Sequence, residues 1–558
     1  MNNSVINENP DIGVQTFGEL VTNKYEIPRN SKFKLPDRTW PDNDIEKAPI
    51  WCSSCLRDGN QSIYKPMSVK DKMEVFNYLV VIGFKEIEVG FPSGSQADFD
   101  FVRKLIDEEL IPDDVKIQVL VASKSELIEK TRKSLEGAKN VIVHLYNSTS
   151  TNQREVVFKK SKSEIVELAI NGIKKIKNEF NDFSGDLTFQ YSPESFTGTE
   201  MEFAEEITRE VINEWGDFGG NPMILNFPAT VENSTPNNYA DKIEYFKRVI
   251  EEYRDKIGVI LSIHTHNDRG SGVAATELAL LAGADRVEGT LLGNGERTGN
   301  VDIITLGLNM ATQGVDPKLN FADIGAIANR VSEIIGIPIN KRHPYLGEFV
   351  HTAFSGGHQD AIVKGLKDQK KREASGNAKW EVPYLPIDPR DIGQVYEPIK
   401  INDQSGKGGV SYLLSELGYN IPKKMEPHIG RLFQSITDEK QGTLQVEEIK
   451  KIFEQFFVNS EGFISYDDIN SEKIFFEARN NNIGIIEEFS NQLSKKYGID
   501  FKIIDYHQYA LTEGRDSQAV TYFEISINGE ICYGFGSDLD IHKSAIYGLI
   551  STLNISNI

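Results

Sequence analysis

His264 and His266 stand two positions apart in HTHNDRG. On an extended strand, residues i and i+2 project to the same side, so both imidazoles would point one way. Such a pair suits a divalent metal, although it is also met as hydrogen-bonded core or surface. Asp58 in LRDGNQ could add a carboxylate and Asn300 in GNGERTGN an amide oxygen. Two imidazoles, a carboxylate and a carbonyl oxygen suit Zn²⁺, Mn²⁺ or Mg²⁺, and an octahedral ion would keep two positions for a chelating substrate. Arg57, next to Asp58, is a permanent cation that could face an oxygen of that substrate; the blander alternative is a surface Arg–Asp pair contributing little. Glu194, in SPESF, could be a general base, an orienting group or a solvated carboxylate.

WCSSCLRDGNQ also holds Cys52 and Cys55 as C-x-x-C, and the only other cysteine is Cys532. A structural zinc site needs a second pair, and a redox pair needs a helix at the motif, where this chain has turn formers. Two small residues on a strand are therefore expected there, Cys55 being a place where oxidation could act near the site.

Positioning these groups requires elements that bring them to one end. Between about 50 and 315, short apolar runs alternate with amphipathic ones. IWCSSCL, KEIEVGF, KIQVLVA, NVIVHLY, DLTFQYS, PMILNFP, GVILSIHTH and DRVEGTLLG read as strands. The stretches between them have helical periodicity, as in SVKDKMEVFNYLVVIG with Met73, Phe76, Leu79 and Val80 on one face. Eight strand–helix units predict an α/β fold of the closed (β/α)8 TIM-barrel kind, in which strands one, seven and eight adjoin and reacting groups sit at strand C-termini. An open doubly wound sheet would show a nucleotide fingerprint after its first strand; RDGNQ is not one, and GNGERTG has Thr298 where the third glycine belongs. A glycine-rich loop there could still cradle a phosphate through backbone N–H groups.

At 558 residues the chain exceeds one ordinary core. We expect an N-terminal arm over 1–48, whose first ~30 residues are polar and without fixed order, and the barrel over 49–345. Two small helical linker regions over 346–400 and 401–459 and an α+β unit over 460–558 follow, the last with a hairpin turning on Asn528–Gly529. Lys+Arg 61 against Asp+Glu 83 gives a net charge of −22 without a basic run, so neither nucleic acid nor an anionic membrane is an expected partner. No apolar stretch of about eighteen residues and no basic–apolar leader occurs, and a cytoplasmic location is expected.

In order along the chain, LRDGNQ, EVGFPSGSQADFDFVR, HLYNSTS, SPESFTGTE, NFPATVE, HTHNDRG and GNGERTGN resemble the 2-isopropylmalate synthases, and specifically their long mycobacterial and yeast type. LPDRTWPD upstream and RHPYLGEFVHTAFSGGHQDAI, VPYLPIDPRDIG and SGKGGVSYLL downstream extend the resemblance over about residues 33–415. It implies condensation of acetyl-CoA with 2-oxoisovalerate and thioester hydrolysis, the first committed step of leucine synthesis. It also implies that a divalent ion held by Asp58, His264, His266 and Asn300 works with Arg57 on the developing alkoxide. His144, Ser192 and Thr230 would line the oxo-acid pocket, Glu194 would sit beside Arg57, and Gly293, Gly295 and Glu296 would form the acetyl-CoA loop. His358 in SGGHQDA and Tyr384 in VPYLPID would reach the barrel of a neighbouring subunit, making a homodimer with shared sites. The alternatives are a citramalate or homocitrate synthase, or a non-catalytic leucine sensor. DYHQYALTEGRDSQAVTYFEISING resembles the family's leucine-binding regulatory domain, but EARNNNIG, over 477–484, is shorter than the family's paired-glycine turn and GFGSDLDIHKSAIYGL is more acidic.

Overall fold

The computed structural model describes residues 24–216, 218–394, 407–440, 442–466, 484–511 and 517–555, with 21 and 401 besides. The first twenty residues, most of EARNNNIG, and parts of SGKGGV and of the 505–529 stretch lie outside the described residues. Two compact units emerge, one of residues 1–347 with 389–395, the other of 348–388 with 396–558.

In the first unit eight parallel strands close a barrel in sequence order. They are β1 Ile50–Ser53, β2 Glu86–Gly90, β3 Lys116–Ala122, β4 Asn140–Ser148, β5 Asp186–Glu194, β6 Met223–Ala229, β7 Val259–Thr265 and β8 Arg286–Gly289. All eight expected strands are present, and β8 pairs with both β1 and β7. A helix follows each strand, the first being Val69–Ile82 and the last Ile303–Thr312. Odd-numbered strand residues such as Ile87, Val119, Val143 and Ile263 are fully buried apolar side chains, as expected of strands covered by helices. Even-numbered ones include Glu86, Glu88, Gln118, His144, Gln190, Asn226, His264, Arg286 and Glu288, all buried.

Two local expectations shift. The strand in IWCSSCL stops at Ser53, because the Ser54 carbonyl accepts from the Arg57 and Gly59 amides (3.1 and 3.0 Å) and turns the chain. In the first helix the buried face is Val75, Phe76, Leu79 and Ile82, not Met73 and Val80. Lys72 rotates the stripe by turning inward to an ion pair with Asp98.

The helix Pro236–Ile257 starts with proline in its first turn, where the missing N–H would have had no helical partner. It carries Lys242, fully buried, whose ammonium donates to the Thr197 carbonyl at 3.2 Å and lies 5.7 Å from the Phe196 ring centroid. Burial pulls this group from 10.5 down to about 8. The folded pKa lies below the unfolded one, so stability rises with pH between the two values and is diminished below both. Lys242→Met is therefore expected to stabilise the barrel by up to about 3 kcal/mol at pH 7, and by only about 1 kcal/mol near pH 9.5. Urea unfolding of both proteins at the two pH values checks this; a pH-independent difference would contradict it.

In the second unit, β9 Phe501–Ala510, β10 Ala519–Ile527 and β11 Glu530–Asp538 form an antiparallel sheet of order β11-β10-β9, and β10–β11 is the expected hairpin. One apolar cluster joins Leu414, Ile429, Phe433 and Phe453 to Tyr522 and Phe535, so helices of the 401–459 stretch share a core with this sheet.

Candidate active site

The tails of the barrel strands converge on a cavity of about 240 Å³. Its walls include Arg57, Asp58, Leu120, His144, Ser192, Glu194, Asn226, Pro228, Thr230, His264, His266 and Glu296. Asp58 opens a short 3-10 turn after β1. Its Oδ2 lies 3.1 Å from His264 Nε2 and 3.5 Å from His266 Nε2, the two imidazole centroids being 5.3 Å apart. Potential ligand atoms of these three residues all lie within 4.8 Å of one another. Asn300, paired by its backbone with His266, donates its Nδ2 to the Asn294 carbonyl, while its buried Oδ1 has no hydrogen-bond partner among the described residues.

The donor set fits a divalent cation. Four buried carboxylates of the lumen, Asp58, Glu86, Glu88 and Glu288, face two guanidiniums, Arg57 and Arg286. With His264 neutral, the surplus is the charge of one such ion. Burial opposes ionisation of Asp58, but Arg57 and the two histidines outweigh it and hold the carboxyl well below its usual range. Burial likewise disfavours charge on His264, yet Asp58 and Glu288 raise it to about 9; burial and then His264 push His266 down to about 4, leaving a neutral imidazole. An ion bound there would displace the His264 proton facing Asp58.

Arg57 donates its Nε to Glu88 Oε2 at 2.7 Å and its Nη1 lies 3.5 Å from Asp58 Oδ1. Its ion-pair partner is Glu88 of β2, while Glu194 lines the same cavity as Arg57 and accepts from the Ser148 hydroxyl. Register sets that contact: Ser148 is paired with Glu194 across β4–β5, at the level where both strands end.

His144 sits with Nδ1 3.0 Å from Glu88 Oε1 and Nε2 2.7 Å from Ser192 Oγ, which accepts from Asn226 at 3.0 Å. Asn226 in turn donates to Glu288, and Glu288 meets His264. Contacts therefore run without a gap from Arg57 through Glu88, His144, Ser192, Asn226, Glu288, His264 and Asp58 back to Arg57. Thr230 lines the cavity but its hydroxyl accepts from the Ser195 amide at 2.9 Å, supporting a turn in which Ser195 has φ 59°. Sequence reasoning missed Glu88, Glu288 and Asn226. Each is a polar residue inside an apolar strand run, sharing the odd-or-even parity of the histidines.

The loop Gly293–Asn300 is turned on itself: the Gly299 and Asn300 amides donate to the Glu296 and Gly293 carbonyls (2.8 and 2.9 Å). Gly295 and Gly299 have φ of 151° and 87°, and a Cβ on either would collide with Asn300 or Gly293, so the paired glycines are required by the turn. Arg297 ties the loop to Asp268 at 2.7 Å. Cys55 is buried, its sulfur accepting from the Leu291 amide at 3.2 Å, and burial raises its thiol pKa. A protonated, enclosed thiol is a poor target, so the expected sensitivity to oxidation does not follow.

In the second unit His358 and Tyr384 stack with centroids 4.0 Å apart and planes at 20°, both exposed. Tyr384 has φ 64°.

A parallel barrel with a His–His–carboxylate cluster and an arginine at its C-terminal mouth defines a metal-site lyase or synthase of the HMGL-like kind, and that family description matches residues 48–331. Residues 348–415 match "Alpha-isopropylmalate synthase, post-catalytic domain-like" and 429–556 the "LeuA allosteric (dimerisation) domain". The chain belongs to the 2-isopropylmalate synthase family. It is 46% identical to the 2-isopropylmalate synthase of Acetoanaerobium sticklandii over 93% of this chain and 94% of that one. For the synthase of Clostridium acetobutylicum the identity is 45%, over 97% and 100%. For that of Pseudomonas syringae it is 47%, over 94% and 95%.

Proposed function

We infer that this enzyme condenses acetyl-CoA with 2-oxoisovalerate and water to give 2-isopropylmalate and CoA, opening leucine biosynthesis. The observation that carries the reading is Arg57 beside the Asp58–His264–His266 cluster in one cavity. A divalent cation held there with Asn300 would supply Lewis acidity toward a chelated 2-oxo acid. Arg57, with guanidinium N–H donors beyond its contacts to Glu88 and Asp58, stabilises the negative charge that grows on the ketone oxygen when the acetyl carbon attacks C2. His144 and Ser192 orient the acid's polar end, and Leu120 and Pro228 offer the apolar wall that a branched side chain fits. The cavity's other arginine, Arg297, is already neutralised by Asp268, which weakens its pull on a second substrate carboxylate, as in 2-oxoglutarate.

The test is a rate screen of 2-oxoisovalerate, pyruvate and 2-oxoglutarate with acetyl-CoA, following thiol release. 2-Oxoisovalerate is expected to have the highest kcat/KM by at least about tenfold. No thiol release with any acid would overturn the reading in favour of a lyase or leucine sensor.

The post-catalytic and C-terminal matches support the long type of the family. A cytoplasmic location suits an acetyl-CoA consumer, and no helix among the described residues is long and apolar enough to cross a membrane. The 460–558 unit is read as a leucine-responsive regulatory domain and homodimer contact, supported by its family description. Gly293, Gly295 and Glu296 are read as the acetyl-CoA loop. His358 and Tyr384 are read as moving the acetyl methyl proton, or the proton returned to the product, in the neighbouring subunit's barrel. Mixing Asp58→Asn with His358→Ala homodimers tests the sharing. After random exchange about a quarter of wild-type activity should return, because one site in each hybrid is then intact; no recovery despite exchange would mean that each barrel uses its own pair.

A further inference from the structure

Glu288 lies at the centre of the polar lumen and is fully buried. Its Oε1 accepts from Arg286 Nη1 (2.8 Å), Gln118 Nε2 (3.0 Å) and Gln190 Nε2 (2.7 Å). Its Oε2 accepts from Asn226 Nδ2 (3.2 Å) and lies 2.9 Å from His264 Nδ1. The β7–β8 register places His264 directly across from Glu288, so the contact is set by backbone pairing. His266 has no counterpart: its Nδ1 is buried without a hydrogen-bond partner among the described residues.

We propose that Glu288 is the positioning residue of the metal centre, holding the proton of His264 on Nδ1 so that the Nε2 lone pair is presented beside Asp58 and Asn300. A carboxylate has no proton to give, so the imidazole nitrogen facing it carries the hydrogen and the opposite nitrogen is left as ligand. Donors from Arg286, Gln118, Gln190 and Asn226 fix both carboxylate oxygens and with them the plane of the ring. The two histidines thus differ: the Nδ1 of His264 is held by a carboxylate, whereas that of His266 has no such partner among the described residues. This rests on the reading of Asp58, His264 and His266 as metal ligands.

The experiment uses the full-length protein and Co²⁺ as probe, following its visible absorption and its affinity by equilibrium titration. Glu288→Gln keeps shape but sets an amide among converging donors. Co²⁺ is expected to bind it about 10–100-fold more weakly, with a changed absorption band, and kcat should fall more than the KM for acetyl-CoA rises. Glu288→Asp keeps the charge and draws it away from His264; a several-fold loss of affinity is expected there also, and this variant decides the matter should the glutamine protein not fold. Wild-type affinity and an unchanged band in folded Glu288→Gln or Glu288→Asp would overturn the proposal, since a carboxylate needed only for packing would alter stability and not the ion's spectrum. Co²⁺ uptake that Asp58→Asn leaves unaltered would overturn the metal site and this proposal together, whereas uptake lost in Asp58→Asn but kept in Glu288→Gln would overturn this proposal alone.

Discussion

Asp58→Asn is expected to lower kcat/KM for condensation by about 10³-fold or more, the equivalent of about 4 kcal/mol of transition-state stabilisation. Asparagine preserves the outline of the side chain and can still meet His264, so the fold should survive. What disappears is the charge. Asp58 is the only carboxylate of the three-residue cluster, and an amide oxygen holds a hard divalent ion far less firmly. Metal content after dialysis should fall in parallel with the rate, and excess Mg²⁺ or Mn²⁺ should restore part of it. Full activity in metal-free Asp58→Asn would remove the basis for the mechanism.

Arg57→Ala is expected to show two separable losses. The rate should drop about 10²–10³-fold, as when a donor aimed at a developing oxyanion is removed. Stability should fall by about 3–5 kcal/mol, because Glu88, fully buried, is left without its guanidinium partner. Arg57 is the main group that offsets burial in keeping Glu88 below the usual carboxylate range. In the variant the stability deficit should shrink as pH is lowered, since a protonated Glu88 is a smaller burden there. Arg57→Ala/Glu88→Gln should regain much of the stability and none of the rate. Arg57→Lys keeps a charge but not the two-pronged reach to Glu88 and Asp58, and should remain well below wild type. A double variant that recovered activity would assign Arg57 to structure alone.

The barrel was legible in the sequence because each strand is a short apolar run closed by a turn-rich tail, and packing under helices keeps such runs intact. The H-x-H, Asp58 and Arg57 were legible because they stand on or beside those tails. Glu88 and Glu288 were not, because a charge within an apolar strand looks like an exposed position until the barrel closes and every even-numbered side chain faces the same lumen. Closure makes Arg286, Glu288 and His264 neighbours across strands, a relation that spacing along the chain does not reveal. The Arg57–Glu88 pairing was missed for the same reason, while Glu194 lines the cavity with Arg57. His358 and Tyr384, 26 positions apart in sequence, meet as stacked rings, which motif resemblance alone did not require.

The gapless set of contacts from Arg57 round to Asp58 leaves the cavity with two kinds of wall. One kind cannot be recut: replacing His144, Ser192 or Asn226 strands a buried partner on either side, and the loss is felt beyond the residue changed. Leu120 and Pro228 belong to the other kind, apolar side chains that line the hollow outside that set. Divergence toward longer or shorter oxo acids is thereby channelled to these apolar positions on β3 and β6, where a methyl group can be added or removed and the chemistry left as it was.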